Sequence, residues 1–112
     1  MDIKYDIEKY GLEAFLEPWQ VTSLQILWAS NKPLKSRYVW ELVNQKFEPT
    51  ISRASIINFL EYLRISCVLE GIDQSGKGGH YYLYRARLNE PEFKLMIVND
   101  IIKKLREFTP IN

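Results

Sequence analysis

One cysteine, Cys67, and one histidine, His80, are all the thiol and imidazole that 112 residues provide. Their scarcity excludes an internal disulfide and any Cys/His zinc cluster within a single chain. Long apolar runs are also missing, so no stretch reads as a membrane span. The acidic start, Met1 to Asp6, lacks the charged-then-apolar plan of a secretory signal, and the expected location is cytoplasmic. No nucleophile and base recur at a recognisable spacing. The one glycine-lysine cluster, Gly76 to Gly79, lies in a tyrosine-flanked turn rather than ahead of a helix, as a phosphate loop would. Neither catalysis nor a cofactor is therefore expected.

What is present suits one globular domain: 46% of residues are hydrophobic and 26% charged. The net charge of +1 is small for a phosphate-binding protein, but it is unevenly spread. Residues 1 to 20 carry two Lys and five Asp or Glu, a net −3; residues 21 to 89 carry nine basic and five acidic side chains, a net +4; residues 90 to 112 balance at four of each. Local charge steers binding to nucleic acid, so the central segment is where such a surface is sought.

Apolar spacing divides the chain into elements. Ile3, Ile7, Tyr10 and Ala14 predict a short N-terminal helix weakened by Gly11. Pro18 opens a second helix, with Val21, Leu24, Leu27 and Trp28 as its buried stripe, running to about Ser30. Ser36 is expected to cap a third, with Val39, Leu42 and Val43 inward and an end near Lys46 or Phe47. After Glu48 and Pro49, Ser52 caps a fourth helix whose apolar face is Ile56, Phe59, Leu60 and Leu63. Val68 to Gln74 and His80 to Arg87 then read as a β-hairpin about the turn Ser75 to Gly79. Either Tyr81 and Leu83 or Tyr82 and Tyr84 could face the core. Pro91 opens a last helix to about Phe108. Phe93, Met96, Ile97, Ile101, Leu105 and Phe108 form its stripe, which Leu95, Val98 and Ile102 widen beyond what one domain needs. The expected fold class is mainly α with a small β-hairpin: a winged helix-turn-helix in a single domain. It comprises an extension at 1-16, a body at 17-88 and a C-terminal helix at 90-109.

From about Leu16 to Arg87 the chain resembles winged-helix repressors of the penicillinase-repressor (BlaI/MecI) type, with the MarR group a close second. The resembling pieces run from Glu17 to Trp28, Pro33 to Leu42, Ser52 to Leu63 and Gly79 to Arg85. The resemblance implies a homodimeric DNA-binding repressor whose C-terminal helices make the dimer. Two departures are visible: the connection Arg64-Ile-Ser-Cys-Val68 has no glycine, and Ser52-Arg-Ala-Ser55 replaces a threonine-rich helix start. The operator sequence is therefore not implied.

The fourth helix carries the functional expectation. Ala54, Ser55, Asn58, Glu61 and Tyr62 point away from its apolar face, with Arg53 at the edge and Ser52 at the cap, and small polar side chains at an exposed helix start suit a major groove, so Ser52, Arg53, Ala54 and Ser55 are expected contacts. Arg53 is expected to grip a guanine edge or a phosphate, Asn58 to pair with adenine and Tyr62 to lie near the backbone. Ser36 and Arg37 begin the preceding helix, whose positive end favours phosphate. In the wing, Lys77 beside Gly78 would touch a phosphate or the minor groove, with His80 and Arg85 along the backbone. Phe93, Ile97, Ile101, Leu105 and Phe108 are the expected dimer contacts. The partners are then double-stranded DNA, bound at an inverted repeat, and a second copy of the chain; whether a small-molecule effector acts is left open by the sequence. Glu61 on the reading face and the low net charge motivate a rival, a winged helix that binds protein and not DNA. Cys67, in an apolar stretch, is expected to be buried and inert.

Overall fold

A computed structural model describes residues 4–107. Its elements are α1 (Pro18–Ala29), β1 (Leu34–Lys35), α2 (Ser36–Val43), α3 (Arg53–Ile65), β2 (Leu69–Gly76), β3 (Gly79–Ala86) and α4 (Glu90–Glu107), preceded by a 3₁₀ turn at Gly11–Ala14. Among the described residues, no helix is long and apolar enough to cross a membrane.

Glu17 starts α1 through a capping box: Gln20 accepts the Glu17 N–H at 2.9 Å while the Glu17 carboxylate receives the N–H of Gln20, with Pro18 at the first position where its missing N–H costs nothing. Val21, Leu24 and Leu27 are buried against Val39 and Val43 of α2 and Ile56, Phe59, Leu60 and Leu63 of α3, giving the core of a three-helix body. The sheet covers one side in the order β1-β3-β2, all antiparallel. Leu34 pairs with Tyr84, a third strand too short to leave a period in the sequence. Pairing of Gly76 with Gly79 leaves Lys77 and Gly78 as the turn, and the left-handed step falls on Gly79 at φ 101°. The open question of the wing's inner face is answered by Tyr84, which is buried, and Tyr82, which packs on the core.

Several expectations are corrected. The N-terminal helix does not form among the described residues. Gly11 is left-handed, at φ 63°, and admits only the 3₁₀ turn, which buries Leu12 and Ala14. Ahead of it the Asp6 N–H reaches back to the Ala14 carbonyl at 2.7 Å, leaving Ile7 and Tyr10 in solvent. Ser36 is the first residue of α2, not its cap; Lys35 holds the cap position without a side-chain bond. The helix ends at Val43, short of Lys46, where tighter turns take over with Gln45 N–H on Leu42 O at 3.3 Å and Lys46 N–H on Val43 O at 3.0 Å. Cys67 is exposed rather than buried, in the left-handed conformation at φ 62°. It closes α3 in a Schellman motif, with Val68 N–H on Leu63 O at 2.9 Å and Cys67 N–H on Arg64 O at 3.0 Å. That is how a glycine-free link turns the chain from α3 into the wing.

In α4, Phe93 and Ile97 are 0% and 3% exposed, sealed inside their own domain against a partly buried Trp28, whose indole N–H donates to Leu88 O at 2.8 Å. These two expected dimer contacts thus belong to the core. Ile101 packs partly on that core, Leu105 is exposed, and Phe108 lies outside the described residues. Leu95, Val98, Ile102 and Leu105 form the exposed apolar face.

Candidate nucleic-acid interface

The start of α3 is held by its turn as well as by its core face. The Ile51 carbonyl receives the Trp40 indole N–H at 2.8 Å and the Asn44 amide at 3.1 Å, while the Asn44 carbonyl oxygen takes the Ile51 N–H at 2.7 Å. One residue on, Ser52 Oγ accepts the Ser55 N–H at 3.0 Å, the expected cap. The second helix of the helix-turn-helix pair is thus fixed before it begins, and α3 leaves the turn with a set direction.

On this support Ser52, Arg53, Ala54, Ser55, Asn58 and Tyr62 are all exposed, as the sequence reading required. Ser52 and Ser55 share a hydroxyl bond of 2.9 Å. The Arg53 guanidinium sits 6.0 Å from the centre of the Trp40 ring, a loose stacking contact, and no carboxylate among the described residues pairs with it. It is a cation at the leading edge of the helix.

Glu61, the residue that spoke against DNA, is not displayed with them. Its carboxylate receives Arg64 Nε at 3.0 Å and Nη2 at 2.9 Å in a two-pronged pair, and the Tyr84 hydroxyl at 2.6 Å. The bonds from Arg64, more than those from Tyr84, hold the Glu61 carboxyl below the ordinary carboxylate value, against the opposing pull of burial. Burial, and then the bond to Glu61, push the Tyr84 phenol well up. Arg64 in turn lies 4.4 Å from the centre of the Tyr82 ring. Sequence reasoning missed this network because Glu61 and Arg64 are one helical turn apart on a face that looks solvated, and only the strand register brings Tyr84 there.

The remaining expected contacts divide. Lys77 and Gly78 stand exposed at the tip of the hairpin. Arg37 is paired with Glu41 at 3.3 Å, Arg85 with Glu70 across the strands at 2.9 Å, and His80 lies 3.3 Å from Asp73. All three pairs are largely exposed, where such contacts are weak and exchange readily. Lys35, not singled out from sequence, lies 5.3 Å over the Tyr81 ring on the outer face of the sheet.

A helix-turn-helix pair followed by a hairpin and backed by a three-stranded sheet is a winged helix. No protein-family model matches the chain, and the search of curated proteins gives no match. A solved structure of similar fold is the ferric uptake regulator Fur of Helicobacter pylori, with a TM-score of 0.53 and 18% identity over 83% of this chain and 72% of that one. At that identity the likeness establishes the winged-helix fold alone. Fur in that structure has three functional metal-binding sites. Among the described residues of this chain, no group of three or more His, Cys, Asp or Glu side chains could hold a metal ion.

Proposed function

We propose that this chain is a DNA-binding transcription regulator, a homodimeric repressor that inserts the start of α3 into a major groove and lays its wing along the flanking backbone. The observation that carries this is an exposed, polar helix start beside a half-buried Glu61 whose carboxylate is engaged by Arg64 and Tyr84. With that carboxylate neutralised by Arg64, the surface offered to phosphate by residues 52 to 58 contains one cation, Arg53, and no anion. A regulator, Fur, is built on a similar frame, which supports the reading.

The dimer is assigned to the open face of α4. Leu95, Val98, Ile102 and Leu105 follow one another at steps of three, four and three, the seam of a two-helix coiled coil. Twofold symmetry then calls for an inverted-repeat operator with half-sites one or two turns apart, about 34 to 36 Å per turn. Repression follows from occupancy, and the chain performs no chemistry of its own.

The pairing of Arg37, Arg85 and His80 with carboxylates favours a second reading, a winged helix that docks on another protein. Fluorescence anisotropy on random duplex DNA at low and high salt separates the two. A regulator binds at low salt and loses affinity steeply as salt rises. Absence of binding at low salt overturns the proposal in favour of the protein-docking reading. Selection of bound fragments from random duplexes then tests the inverted repeat directly.

A further inference from the structure

The hairpin leaves the protein core early. Leu69 and Tyr84 are buried, but residues 75 to 81 are exposed without exception, so the wing is a cantilever whose direction is decided by the layer at its root. That layer is the contact with α3 already described. Arg64 crosses Gly71 of β2 to reach the Tyr82 ring, so closely that a methyl group on Gly71 would stand 2.5 Å from Arg64 Cδ and 2.9 Å from the Tyr82 ring. Glu61 grips the other end of the same guanidinium and, through the Tyr84 hydroxyl, the neighbouring strand.

The geometry points to Glu61, Arg64 and Tyr84 as positioning residues, a lock between α3 and the root of the wing that fixes the angle at which the two meet DNA. The inference rests on the DNA-binding reading above for its consequence, though the lock itself is a property of the free protein. Charged and hydrogen-bonded partners in a two-pronged geometry define direction as well as distance, which apolar packing at the same place would not. Tyr84 contributes a hydroxyl to the lock and a ring to the core, and the two roles separate in Tyr84→Phe. Glu61→Gln keeps the shape of Glu61 and removes its charge.

A double-mutant cycle on selected DNA tests the inference. In the otherwise unmodified protein, Lys77→Ala at the wing tip is expected to lower affinity about three- to tenfold at moderate salt. In Tyr84→Phe, and again in Glu61→Gln, the same substitution is expected to change affinity by less than about twofold, because a wing no longer held at its angle has lost that contact already. The loss caused by Arg53→Ala stays the same in both backgrounds. Independent, additive losses at Lys77 overturn the inference, as does a coupling to Arg53 as large as that to Lys77, which would mark general loosening.

A second measurement needs no DNA. Spin labels at Asn58→Cys and Lys77→Cys, in a Cys67→Asn background and diluted with unlabelled chain, report the distance from reading helix to wing tip. One narrow distribution is expected, broadening in Tyr84→Phe; equal widths overturn the lock. Should the unmodified chain fail to bind DNA, the proposed function falls by itself, and the label distances still decide whether the lock exists.

Discussion

A hydrogen atom at Gly71 is what allows the Arg64 side chain to pass between two strands and a helix. Adding a methyl there places it within 2.5 Å of Arg64 Cδ, in the middle of the side chain rather than at its free end. Gly71→Ala is therefore expected to cost about 1 to 3 kcal/mol in urea unfolding, by overpacking. At Glu61 the expectation is one of pH. The carboxyl is held below its ordinary value near 4.5, so its contribution to stability is complete above that value and is lost as the pH falls through the lower value of the folded chain. The stability gap between the natural protein and Glu61→Gln should thus be constant from pH 7 to about 5 and should close in acid; a gap that widens below pH 4 would contradict the assigned interactions. Cys67 adds a purely conformational case. At φ 62° a β-branched side chain is strained, and Cys67→Val is expected to lose about 1 to 2 kcal/mol on thermal or urea unfolding, although the residue is exposed.

Helices α1, α3 and α4 were legible in the sequence because each has a cap or proline at its start and an apolar face at the helical period, and burial of Leu24, Ile56, Leu60 and Phe93 follows from those faces. Where the expectation failed, a local bond or backbone angle outweighed the period. Gly11 took a left-handed angle and cancelled the first helix, and after Val43 tighter turns at Gln45 and Lys46 replaced the α-helical pattern of α2. Of the candidate site, the exposure of Arg53, Ser55 and Asn58 followed from helical phase alone. The pairing of the Glu61 carboxylate did not, since it depends in part on a strand partner 23 residues away. In α4 the sequence showed excess apolar width but could not say which half the domain would claim. The two halves now predict opposite outcomes. Phe93→Ala is expected to cost about 3 to 5 kcal/mol and to unfold the monomer. Ile102→Lys, on the exposed face, should leave the folded monomer intact by circular dichroism and abolish the proposed dimer in sedimentation. A dimer that survives Ile102→Lys would move the subunit contact elsewhere.

The molecule as a whole carries a net +1, so the DNA binding proposed above has to draw on the arrangement of its charges and not on their sum. That arrangement is half masked: Lys77 and Arg53 are unpaired cations among the described residues, whereas Arg37 and Arg85 each stand beside a carboxylate on the same surface. If the wing tip meets the DNA backbone as proposed, Lys77→Ala should lower the slope of log affinity against log salt by about one unit for each protomer bound. Arg85 invites the converse experiment. Its partner Glu70 lies directly across the strands, so Glu70→Gln frees the guanidinium without altering the wing's shape. If the outer face of the wing follows the DNA backbone, Glu70→Gln should bind random duplex more tightly than the natural protein and with a steeper salt slope, since one repulsive charge is gone and one cation is released to phosphate. An unchanged slope would place Arg85 away from the duplex and leave Lys77 at the tip as the wing's contribution.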